Sequence, residues 1–105
     1  MKPPLPFFKT GHARVVTLEL QSKTRDCWAL SYAYLLSLHY DVTGSIELQF
    51  SSAKVVIEGQ QLKSLYDALK EQTVVSIREA ELEGERSSGG ATVVQSIAVI
   101  PLGMI

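Results

Sequence analysis

A single cysteine, Cys27, is all the thiol this chain has. That excludes an internal disulfide and suits a reducing compartment, so the cytoplasm is the expected location. Histidine is almost as scarce. His12 and His39, even with Cys27, are too few and too scattered for zinc-ligand spacing, so no metal or other cofactor is expected. No apolar run approaches the ~20 residues that a membrane span requires, and no membrane partner is expected. The opening "MKPPLPFFKTGHAR" has no signal-peptide apolar block, because prolines and polar residues interrupt it. Net charge is lacking too. At −1, the chain as a whole is not built as a polyanion binder.

What is present is ordinary globular composition, 46% hydrophobic and 20% charged residues. The 105 residues suffice for one domain that buries roughly two thirds of its unfolded surface. Charge is unevenly spread. Residues 1–25 carry five basic side chains against one acidic, and residues 26–105 carry five against ten. This pattern is compatible with a basic, flexible arm over residues 1–12 on an acidic domain over 13–105, or with a polar tail of no special role. Pro3, Pro4 and Pro6 remove three backbone donors and so keep helix and ladder out of the arm, while Phe7 and Phe8 are expected to lie against the domain.

Residues 14–20, "RVVTLEL", alternate with Val16, Leu18 and Leu20 on one face, which predicts a half-buried strand. Residues 27–40, "CWALSYAYLLSLHY", are ambiguous. As a strand they place Trp28, Leu30, Tyr32, Tyr34, Leu36, Leu38 and Tyr40 on one face. As a helix, Trp28, Tyr32, Leu35 and Leu36 form a stripe. The strict period of two favours the strand. Its length requires a bend or bulge, which Ala29, Ser31 and Ala33 would tolerate.

"DVTGS" is a turn. "IELQF" and "AKVVIE" then pair as a hairpin, with Ile46, Leu48, Phe50, Val55 and Ile57 inward. After Gly59, residues 61–72 read as a helix with Leu62, Leu65, Tyr66 and Leu69 in one stripe and Lys63–Asp67 as an exposed pair. Residues 74–82 form a further strand, 83–91 a glycine- and serine-rich loop, and 92–100 a last strand stopped by Pro101. The helix either joins two parallel strands or caps the end of a small barrel. The expected fold is mainly β, a β-rich α+β class: a small, strongly bent antiparallel barrel or curved sheet with one packed helix.

Catalytic constellations are hard to assemble from these residues. On one extended strand, Cys27 and His39 would stand roughly 40 Å apart at ~3.3 Å per residue, too far for a nucleophile and base. A buried cysteine and an edge histidine are the simpler reading. Glu79, Glu81, Glu83 and Glu85 fall at period two, as a solvated strand face would. "SSGG" lacks the residues that flank a phosphate loop. The helix start after Gly59 offers free N–H groups to an anion, but Glu58 beside it would repel a phosphate. The arm "PFFKTGHAR" interleaves Lys9, His12 and Arg14 with Phe7 and Phe8, a pattern suited to stacking and neutralising a single nucleic-acid strand.

The segment Ile57-Glu58-Gly59-Gln60-Gln61-Leu62, following a hydrophobic strand, resembles the second motif of the Sm/LSm RNA-binding proteins. The order of strands over residues 14–82 is similar to that family's five bent strands. The resemblance implies an Sm-like barrel, RNA as a partner, and a homo-oligomer joined through strand edges, 92–100 being the candidate edge. Gly59 and Gln60 carry over as nucleic-acid-binding positions, with Lys9 and Arg14 of the arm added from their charge. Glu58 stands where the family has its RNA-contacting arginine, and Gln60 where it has asparagine. "DVTGS" offers Asp41 without the asparagine that should follow. The helix lies before the last Sm-like strand rather than before the first, and a sixth strand follows. A non-enzymatic Sm-like binding module is therefore the leading expectation, a protein-interaction domain without nucleic-acid binding the alternative, and a small-molecule enzyme the third.

Overall fold

The computed structural model describes residues 7–24, 26–80 and 92–102. Its elements are β1 (Phe8–Thr10), β2 (Thr17–Gln21), β3 (Cys27–Ser31), a 3₁₀ turn (Tyr32–Tyr34), β4 (Leu35–Asp41), β5 (Ser45–Phe50), β6 (Ala53–Gln60), α1 (Lys63–Lys70), β7 (Val74–Arg78) and β8 (Val93–Pro101). Two four-stranded sheets result, in the orders β1-β7-β2-β3 and β4-β5-β6-β8. Only β2 and β7 run parallel; every other described pair is antiparallel. The mainly β class and the curved-sheet form match expectation, while the described residues do not close into a barrel.

Both sheets share one core. Leu18, Leu20, Val74 and Ile77 come from the first, and Ile46, Leu48, Phe50, Val55 and Ile57 from the second. The hairpin alternates as its sequence predicts, and half-buried Glu47 and Lys54 pair across it at 3.7 Å. Helix α1 buries Leu62, Leu65 and Leu69 and carries the chain from the second sheet to the first, so it is neither a parallel crossover nor a barrel cap. It is shorter than residues 61–72 because Gln61 and Gln72 flank it at φ 54° and 58°. At its end the Gln72 and Thr73 N–H groups bond the Leu69 and Ala68 carbonyls at 3.1 and 3.2 Å, a left-handed cap of the kind glycine usually supplies.

The expected continuous strand 27–40 is corrected. It breaks at Tyr32–Tyr34 and changes sheets, β3 ending one and β4 the other. Ser31 Oγ caps the turn by accepting the Ala33 N–H at 3.2 Å. A 3₁₀ turn advances about 120° per residue, not 180°, and a register shift between Leu35 and Ser37 adds a second slip. The shared inward face is therefore interrupted: Leu30, Tyr32, Leu38 and Tyr40 still pack in or against the core, and Trp28, Tyr34 and Leu36 do not. Tyr32 is buried, whereas Tyr34 and Leu36 are 61% and 69% exposed.

Three further expectations change. Residues 8–10 of the expected arm form β1, because the ladder with β7 starts past the last proline. Phe7 is buried under the Arg78 guanidinium, 4.3 Å from its ring centroid. The strand expected from residue 14 begins at Thr17, since the Val15 N–H bonds Gln72 O at 2.9 Å instead, and Val16 faces outward. Glu79, expected on a solvated face, is 5% exposed. Glu81, Glu83, Glu85 and the loop 83–91 lie outside the described residues.

Candidate functional site

The Gly59 corner is fixed by close backbone approach. Between Glu58 and Gly59 the β6–β8 register shifts by one residue. A Cβ on Gly59 would stand 1.9 Å from Val93 O, so no side chain fits. The Gly59 N–H donates to Gly44 O at 3.0 Å, tying the hairpin turn to β6. Gln60 and Glu58 are exposed beside it. The corner thus has a complete structural explanation, whatever else it binds.

Lys9 and Arg14 are exposed as well, but at the other end of α1. They flank Gly11 and Val15, whose N–H groups bond the Thr73 and Gln72 carbonyls past the helix C-terminus at 2.8 and 2.9 Å. Gly59 and Gln60 lead into the helix N-terminus, and eight residues of helix span about 12 Å. The four positions do not converge on one site. Cys27 and His39 likewise belong to different sheets, Cys27 opposite Gln21 and His39 opposite Glu47. Cys27 is exposed rather than buried.

Glu79 went unnoticed as a site residue in the sequence. Its Oε1 accepts the Lys23 N–H at 2.9 Å and the Ser22 hydroxyl at 3.4 Å, and its Oε2 accepts the Ile97 N–H at 2.7 Å. Its own N–H donates to Gln21 O, and that of Ala80 to Val94 O, both at 2.9 Å. One carboxylate therefore clamps the loop after β2 to β8 across the two sheets. Three donors reach it, two of them backbone N–H groups, which suits a structural clamp. Among the described residues no group of three His, Cys, Asp or Glu side chains could hold a metal.

Exposed apolar side chains occur along the segment from β3 to β4, Tyr34 and Leu36 among them. An open groove of about 450 Å³ lies between Tyr32, Leu35, Leu36 and Leu38 on one wall and Leu69 and Gln72 at the end of α1 on the other. The Tyr32 hydroxyl donates to Val74 O at 2.7 Å and anchors the floor; burial pushes its pKa up to about 12. Beyond the groove Tyr40 stacks on Tyr66, with centroids 5.1 Å apart, and Lys70 lies 4.9 Å from the Tyr66 ring centroid. Asp67 accepts from Lys63 at 2.6 Å, which lowers the pKa of the acid and raises that of the lysine.

Trp28, opposite buried Leu20, remains 39% exposed at the edge of the first sheet. Val42, just past β4, is 82% exposed. Exposed Leu36 beside an apolar groove is the kind of surface that marks interaction sites. The alternation in the sequence hid it, because it assigned Tyr34 and Leu36 to the interior. Comparison with protein-family models, with curated proteins and with solved structures finds no match for this chain.

Proposed function

We propose that this chain is a non-enzymatic binding module that takes an extended protein strand along the rim formed by residues 27–41. The observation that carries the reading is the exposure of Tyr34 and Leu36, 61% and 69%, beside the groove against α1. A strand edge supplies backbone donors and acceptors, and an adjoining groove supplies pockets for alternate side chains, the two parts of recognition by strand addition. The structural engagement of the Glu79 carboxylate by two backbone N–H groups and the separation of Cys27 from His39 favour a binding role over catalysis. An exposed Cys27 thiol is at home in a reducing compartment such as the cytoplasm.

Selection from a displayed library of random extended peptides tests the reading. Apolar, weakly charged peptides should be recovered, and Leu36→Lys should weaken them at least tenfold. Recovery of no peptide, or of peptides indifferent to Leu36→Lys and Tyr34→Lys, overturns it.

The exposed pair Lys9 and Arg14 supports a second reading, single-stranded RNA held by the basic segment, with the Gly59–Gln60 corner as the Sm/LSm-like element. It requires a salt-dependent shift of a labelled strand that the double change Lys9→Ala with Arg14→Ala reduces. No shift at low salt removes it.

A further inference from the structure

We infer that the strand taken by this rim carries an aspartate or glutamate side chain that pairs with Arg14 at the end of the groove, at a constant spacing from the apolar residue seated against Leu36. The inference rests on the strand-binding reading above and names the chemistry of its partner.

The groove ends against the segment just before β2. Two of its lining residues are Tyr32 on one wall and Gln72 on the other. Both are backbone partners of that segment: the Tyr32 N–H donates to Val16 O and the Val15 N–H to Gln72 O, each at 2.9 Å. Val15 and Val16 therefore bridge the two walls. The Gly11 N–H, donated to Thr73 O at 2.8 Å, ties the same segment down a second time. Arg14 precedes Val15, one Cα step of about 3.8 Å away, and is exposed. Val16 is exposed as well, so this end of the groove combines an outward apolar side chain with a cation.

Charge selects the partner. The groove wall from Tyr32 to Leu38 carries no charged side chain. On the helix side stand Lys63, Asp67, Lys70 and Glu71. Asp67 is already held by both lysines, at 2.6 and 3.4 Å. Glu71 is exposed, and Arg14 forms no ion pair with it or with any other described residue. With Arg14 the local sum is three cations against two carboxylates, whereas residues 26–105 as a whole carry five basic side chains against ten acidic. A guanidinium holds a carboxylate through two parallel N–H···O bonds, and beside apolar surface such a pair is screened less than in open water. A basic residue of the partner at this place would meet like charge. One acid beside apolar anchors also keeps the peptide weakly charged.

The displayed library of random extended peptides should return one Asp or Glu at a constant spacing from the apolar residues. For a recovered peptide, Arg14→Gln should weaken binding roughly threefold, the scale of an exposed ion pair, and Arg14→Glu about tenfold or more. Lys23→Glu makes the same change of net charge in the loop past the far end of β2 and should leave binding unchanged. Replacing the acid of the peptide by lysine should weaken its binding to the unaltered chain and restore binding to the Arg14→Glu chain. Because Arg14 is exposed, neither substitution should move the urea midpoint. Peptides without an enriched acid, or binding indifferent to Arg14→Glu or equally sensitive to Lys23→Glu, overturn the inference; if those peptides still depend on Leu36, the strand-binding reading stands without it. If Arg14→Glu instead abolishes the shift of a labelled RNA strand and spares the peptides, the charge serves nucleic acid and the inference falls. Recovery of no peptide removes both.

Discussion

β8 and β4 are the two edges of one sheet, and they are finished differently. β8 is paired with β6 along its length, and its free side is met by the Ala80 N–H and the Glu79 carboxylate. β4 is paired with β5 on one side and presents Leu36 and the groove on the other. A sheet edge exposes backbone groups that another chain can use. The molecule closes one such edge with a buried carboxylate and leaves the other apolar and open. The contrast teaches that the open rim is a local choice of residues, because the same sheet shows how an edge is closed.

Removing the clamp would break the contrast most severely. Glu79→Ala leaves the Lys23 and Ile97 N–H groups without their acceptor in a part-buried setting, and bonds to a carboxylate count for more than neutral ones. The expected loss is about 3 kcal/mol, measured by urea unfolding. Glu79→Gln, which keeps one acceptor oxygen, should lose less. Gly59→Ala comes next. The new carbon would collide with Val93 O and drive β8 away from β6, an overpacking cost of about 2–3 kcal/mol, read from the same unfolding curves.

These two positions also show what the sequence could and could not reveal. Alternation in residues 46–58 and the helical stripe of Leu62, Leu65 and Leu69 marked the second sheet and the helix correctly, because each has one wet and one dry face. Gly59 was visible as a corner, but its reason, the approach of Val93 from residues far along the chain, is a tertiary contact without a local trace. Glu79 was partly legible. It shares the parity of Ile77, which is buried, so the strand pattern itself pointed it inward. The run Glu79, Glu81, Glu83 and Glu85 drew attention to charge instead. In residues 27–40 the alternation was real but misleading. A three-residue turn and a one-residue slip, neither marked by glycine or proline, broke the phase between Tyr32 and Ser37 and turned Tyr34 and Leu36 out, while Leu38 and Tyr40 pack against the core again. The candidate rim was hidden by that break.

Tyr32 sharpens the comparison from the open side, since its hydroxyl holds the groove floor to β7. Tyr32→Phe leaves Val74 O without this donor and should cost about 1 kcal/mol, seen as a lower urea midpoint with unchanged slope. The phenol also predicts a pH dependence. In the unfolded chain it ionises near 10.0, and in the folded chain burial holds the proton to about 12. Between those values the unfolded state binds fewer protons, so stability falls as pH rises through the window and the contribution is whole below pH 10. Tyr32→Phe should flatten that part of the profile.

The smallest effect on folding is expected where the largest effect on association is proposed. At 69% exposure, Leu36 gives the isolated chain little burial to lose, so Leu36→Lys should change its unfolding free energy by less than about 0.5 kcal/mol. A residue that serves only the fold would behave in the opposite way, as Glu79 should: a large cost in stability and none specific to binding. If Leu36→Lys lowers stability by about 2 kcal/mol or more, the side chain is serving the fold. The distinction between a closed edge and an open one then loses its meaning.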